Sequence, residues 1–176
     1  MRQIADAARI RRFMEALDAV ARQPARVYLT GGGTAVLLGW RESTIDLDLK
    51  ILPEHDELLR AIPDLKNQLH INVELASPDD FIPVPKGWED RSTFVRQLAY
   101  LSFYHFDLYA QALAKVERGH AQDLADVRQM VARNLIRSAD ALAYFALIEP
   151  DLYRFPAVDR PSFRRAVEEM FAGPPA

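Results

Sequence analysis

No cysteine occurs among the 176 residues. Disulfides, thiolate metal sites and cysteine nucleophiles are therefore excluded, and a cytoplasmic setting fits. Histidine is scarce, and His55, His70 and His105 are scattered without the spacing of a zinc site. No apolar run reaches the length of a membrane span, so a soluble chain with no membrane partner is expected. The start, MRQIADAARIRRF, has no apolar core followed by a small-residue cleavage site, so no secretory leader is expected. Excess charge is also lacking: a net charge of −3 excludes a general polyanion binder. Internal repeats and low-complexity segments are absent.

What is present suits a globular chain. Hydrophobic residues make up 49% and charged residues 27%, too apolar for disorder. The length allows one domain, or a domain with a helical appendage. Charge is unevenly spread. Residues 42–90 hold twelve acids against four bases, whereas the first 26 residues carry six arginines against three acids. An acidic middle repels phosphates unless divalent cations intervene.

Periodicity predicts a helix over 4–21, a strand over 26–30 closed by Gly31-Gly32-Gly33, and a brief apolar helix over 34–40. Residues 45–51 alternate, with Ile45, Leu47, Leu49 and Ile51 on one face and Asp46, Asp48 and Lys50 on the other. Pro53 is expected to open a helix running to about 68, kinked or split at Pro63. Residues 70–75 alternate again: Ile71, Val73 and Leu75 inward, His70, Asn72 and Glu74 outward. Residues 82–92 read as a loop, and 94–106 holds at least one strand. Helices follow over 108–118 (ending at Gly119), 121–133, 138–148 (capped by Ser138) and 161–171, with a frayed tail of Gly-Pro-Pro-Ala. The order predicts an α/β (α+β) fold: a small mixed sheet with helices on one side over 1–107, then a helical cluster over 108–176 packed on it.

Asp46 and Asp48, two apart on a strand, leave one face roughly 6–7 Å apart at the backbone. Like charges so placed call for a cation between them. Two magnesium ions, with manganese as a substitute, suit the pair once a third carboxylate closes the cluster. Glu74 is the best third acid if its strand adjoins theirs; Asp79 and Asp80 are alternatives. The glycines supply the complement. Gly32 and Gly33 lie where a strand reverses into a helix, and helix-start N–H groups attract phosphate oxygens. Thr34, Ser43 and Thr44 add hydroxyl donors, and Arg41 a fixed cation. A phosphate cradle followed by metal-binding acids is the layout of two-metal phosphoryl transfer from a nucleoside triphosphate.

The run "GGTA…GWRESTIDLDL" resembles the signature of the nucleotidyltransferase superfamily: Gly32 and Gly33, then a spacer, then acid-apolar-acid at Asp46 and Asp48. The superfamily's third acid falls on a later strand, which matches Glu74 in "INVEL". The block "ALAKVERGHAQDLADV", with Lys115, Arg118, Asp123 and Asp126, resembles the helical motif of abortive-infection-type nucleotidyltransferase toxins and their uncharacterised relatives. The resemblance spans roughly 27–133. It implies the nucleotidyltransferase fold, nucleotide support from Lys115 and Asp123, and a toxin setting with an antitoxin partner. The implied reaction moves a nucleoside monophosphate onto a hydroxyl of a protein, an RNA or a small molecule. Two other readings compete: a non-catalytic nucleotide-binding or interaction module of the same fold, and a metal-dependent phosphohydrolase.

Overall fold

A computed structural model describes residues 3–173. By its contacts the chain divides into two units: residues 1–77 with 92–106, and residues 78–91 with 107–176. The sequence assigned 78–91 to the sheet region; the structure groups it with the C-terminal helices instead. The C-terminal tail, from Pro174 on, lies outside the described residues.

The first unit is built on a five-stranded sheet. Its strands are β2 (Ala25–Thr30), β4 (Asp46–Leu52), β5 (Asn72–Leu75), β6 (Thr93–Gln97) and β7 (Leu101–His105), in the order β5-β4-β2-β7-β6. β2 runs antiparallel to β4 and parallel to β7, while β4 and β5 are parallel. A separate ribbon pairs β1 (Ala5–Asp6) with β3 (Ser43–Thr44). The helices are α1 (Ala7–Val20), α2 (Gly31–Leu38) and α3 (Asp56–Leu69).

Alternation decides which face is buried. Leu47, Leu49 and Ile51 enter one core with Val27, Leu29 and Phe103, with Ile10, Phe13 and Leu17 of α1 and with Leu58, Ile62 and Leu65 of α3. Asp46, Asp48 and Lys50 therefore leave the opposite face. The pattern fails at the sheet ends: Ile45 is 47% exposed and Leu75 52% exposed. Ile45 sits in a bend between β3 and β4, and Leu75 ends β5.

Other differences have local causes. Pro53 does not open a helix; a cis Leu52–Pro53 bond ends the strand, and α3 begins at Asp56. α3 runs unbroken through Pro63, whose ring lies on the exposed side, where the forfeited hydrogen bond faces water. The aromatic stretch 94–106, expected to hold at least one strand, holds two, β6 and β7, which form a hairpin. The Asp18 carboxylate holds its turn, accepting hydrogen bonds from the backbone N–H groups of Tyr100 and Leu101 at 2.8 Å and of Ala99 at 3.2 Å.

In the second unit, a 3-10 turn (Pro78–Asp80) and α4 (Trp88–Arg91) precede α5 (Leu108–Arg118), α6 (Ala121–Ala132), α7 (Ser138–Ile148) and α8 (Arg160–Phe171). α5 contacts α6, α7 and α8. Gly119 closes α5 in the left-handed region, φ +73°, a conformation without penalty for glycine. Ser138 is the first helical residue and not the cap; Arg137 occupies that position without a side-chain bond.

Candidate active site

The strand register assembles the acids. In the parallel β4–β5 pair, Asp46 lies opposite Asn72 and Asp48 opposite Glu74. Register partners on adjacent strands share a face at about 5 Å between backbones. Glu74 is thus the immediate lateral neighbour of Asp48. On its other side Asp48 lies opposite Thr30, the last residue of β2 and the N-cap of α2. One row across three strands reads Glu74, Asp48, Thr30, and its end is the start of a helix.

The glycines belong to that helix. The sequence placed them in a turn before it, but Gly31, Gly32 and Gly33 form its first turn. Close approach explains them. A Cβ on Gly31, whose φ is +60°, would stand 2.9 Å from Asp48 Oδ2. A Cβ on Gly32 would stand 2.0 Å from Thr44 Oγ1, inside any permissible contact. The bare backbone lets the Asp48 carboxylate meet the helix N-terminus, where the macrodipole favours negative charge. Arg41 belongs to the same corner, its Nη1 3.3 Å from the Gly32 Cβ position.

The remaining hydroxyls differ in their use. Thr44 is buried and donates to the Asp46 carbonyl at 3.0 Å, fixing the approach to the acidic strand. Ser43 is half-buried, paired in register with Asp6. Thr34 departs from expectation. It is fully buried, donates to the Leu29 carbonyl at 3.2 Å and contacts His105 Nδ1 at 3.0 Å. One turn into α2, its side chain faces the core and offers no donor to a phosphate.

The donor set suits a hard divalent cation: three carboxylates on one face. Among the described residues, no three histidine, aspartate or glutamate side chains converge tightly enough to hold a metal ion. The Asn72 amide sits between two of the acids, donating to Asp46 Oδ1 at 2.5 Å and to Glu74 Oε1 at 3.3 Å. It supplies the positive end of a dipole where a cation would supply charge. Asn72 was read only as an outward residue; its register position opposite Asp46 is the signal that singles it out.

Lys115 and Asp123 lie in the second unit. Lys115 is 6% exposed and donates to Asp126 Oδ2 at 2.8 Å and Asp123 Oδ1 at 3.4 Å. Arg118 grips Asp123 with two bonds, Nε to Oδ2 at 2.7 Å and Nη2 to Oδ1 at 2.6 Å. Burial raises the Asp123 pKa, but the Arg118 hydrogen bonds and the Lys115 and Arg118 charges outweigh it, leaving Asp123 below the usual carboxylate range. The lysine expected to reach a triphosphate is thus enclosed by two carboxylates.

A second buried cluster escaped the sequence reading. Asp107, 1% exposed, caps α5 by accepting from Tyr109 N at 3.0 Å. It also accepts from Arg91 Nε at 2.7 Å and from the Tyr144 hydroxyl at 3.1 Å. Burial and the Asp107 charge push the Tyr144 phenol above its ordinary range. Arg91 additionally donates to the carbonyls of Pro85 and Lys86, which binds the 78–91 segment to the helices.

Residues 7–147 match the family of nucleotidyltransferases of unknown function (DUF6036). The match spans most of the chain, and the chain belongs to this family. No curated protein and no solved structure matched it. Among the described residues, no helix is long and apolar enough to cross a membrane.

Proposed function

We propose that this chain is a magnesium-dependent nucleotidyltransferase that moves a nucleoside monophosphate from a nucleoside triphosphate onto a hydroxyl. The observation that carries the proposal is the row Glu74–Asp48–Thr30, which brings register-paired carboxylates against a glycine-headed helix N-terminus. In this reading Asp46, Asp48 and Glu74 would hold magnesium, or manganese in its place, by drawing their side chains together around it. The bound metal supplies charge neutralisation for the triphosphate and the leaving pyrophosphate. The first-turn N–H groups at Gly32 and Gly33, with Arg41, receive phosphate oxygens. Ser43 serves as a hydroxyl donor beside them. Glu74, the most exposed of the three acids, accepts the proton of the incoming hydroxyl. Asn72 positions Asp46. Lys115 and Asp123 act at one remove, by holding α5 and α6 together.

The acceptor is a hydroxyl of a protein, an RNA or a small molecule, and the biological setting is a toxin held by an antitoxin. The test is incubation with α-phosphate-labelled triphosphates, magnesium or manganese, and each acceptor class. Wild type is compared with the Asp46→Asn/Asp48→Asn double variant. Label transferred to an acceptor by wild type alone supports the proposal. Labelled nucleotide bound but never transferred leaves a non-catalytic binding module. Free phosphate or nucleotide as the sole product indicates a phosphohydrolase.

A further inference from the structure

A cleft of about 480 Å³ opens on the helix-bearing side of the sheet, between α1, the C-terminal end of α2 and β6. This volume is within the range of small-molecule sites. It lies on the sheet face opposite to the acids, since its innermost residue, His105, shares the face of Leu101 and Phe103 of the core. Met14, Leu37, Leu38 and Val95 give it apolar walls.

His105 is the polar group within. Its residue is 3% exposed, and the ring lines the cleft. The Thr34 hydroxyl has one proton, and the Leu29 carbonyl can only accept it. The bond between Thr34 Oγ1 and His105 Nδ1 therefore has the imidazole as donor, which puts the ring proton on Nδ1. Nε2 is left with a lone pair; the ring's hydrogen bond is at Nδ1, and Nε2 is not a fully enclosed unpartnered atom, so it keeps an opening to the cleft. Burial holds the ring neutral, its pKa lowered to about 4. An acceptor that opens on a cleft with apolar walls is a place where a ligand's donor can dock.

The charges at the cleft are cationic but unequal. Arg96 Nη1 donates to Glu15 at 2.9 Å, so its charge is offset. Arg11, on the exposed face of α1, makes no ion pair among the described residues. We infer that this cleft binds a small amphipathic anion: an apolar body against Leu37, Leu38, Met14 and Val95, an N–H or O–H donor to His105 Nε2, and an acidic group on Arg11. The site stands apart from the proposed transferase centre and does not depend on it.

8-Anilinonaphthalene-1-sulfonate has all three features and serves as the probe. The full chain is titrated with it while fluorescence and the ¹⁵N resonances of the His105 ring are followed. Expected are one saturable site and an upfield move of Nε2 alone among the His105 ring nitrogens, as it gains a donor. Arg11→Glu, at an exposed position that leaves the fold intact, should weaken the probe about tenfold. Leu38→Trp, which fills the cleft, should abolish saturation. Non-saturable fluorescence, an Nε2 resonance that does not move, or equal affinity in both variants overturns the assignment. So does a concentration-dependent rise in mass that Leu38→Trp abolishes, which would make a second copy of the chain the occupant.

Discussion

The carboxylates of the sheet and those of the helical unit are held in contrasting ways. Asp46 and Asp48 are half-buried and Glu74 is exposed; Asp46 and Glu74 receive a neutral amide from Asn72. Asp107, Asp123 and Asp126 are each at most 2% exposed and are bound by Arg91, Arg118 and Lys115. A buried charge that loses its partner is strongly destabilising, whereas an exposed acid is tolerated by water. The first set thus keeps contact with water. The second is committed to the fold.

Substitutions should separate the two sets. The largest effect expected is on catalysis: Asp48→Asn should lower labelled-nucleotide transfer by about 10²–10³-fold or more, with the melting temperature nearly unchanged. A matching loss of stability would erase the contrast. Asp126→Ala should act the opposite way. It leaves Lys115 buried with a weaker partner at 3.4 Å and should cost about 3–5 kcal/mol in denaturant unfolding. Replacing the pair together, as Lys115→Met/Asp126→Leu, should recover much of that.

Acid sharpens the comparison through His105. Its folded pKa, about 4, lies below the ordinary 6.5, so the unfolded chain binds the extra proton first. The stability from the neutral buried ring is complete above pH 6.5 and declines as pH falls through 6.5 towards 4, by about 3 kcal/mol. Urea melts across that window, with the ring followed by NMR, check it. Asp123, held below its usual range, adds a loss only at lower pH, as the medium approaches its folded pKa. Gly32→Ala should cost about 1–3 kcal/mol by driving a methyl into Thr44. Asp18→Ala, which removes acceptors from the hairpin turn, should cost about 1 kcal/mol.

The sheet was legible where burial obeys period two. Leu47, Leu49 and Ile51 alternate with Asp46, Asp48 and Lys50 because one face is covered, and that same alternation exposed the acidic pair. Ile45 and Leu75 misled because periodicity states direction and not where a strand begins or ends: Ile45 falls in a bend before β4, and Leu75 is the last residue of β5. The position of Glu74 beside Asp48 needed pairing, which no single strand encodes. Thr34 looked like a phosphate donor because its place in the chain was right, while the helix turn that aims it at His105 was hidden. Asp107 was missed because its partners, Arg91 and Tyr144, are 16 and 37 residues away.

The chain passes from one unit to the other at 77/78, 91/92 and 106/107. No single cut releases an intact half. A fragment starting at 108 would lack Asp107 together with Arg91, and one ending at 107 would strand 78–91 without its helices. The two units are interleaved along the chain, so an end-to-end fusion of two separately folded pieces cannot reproduce this arrangement.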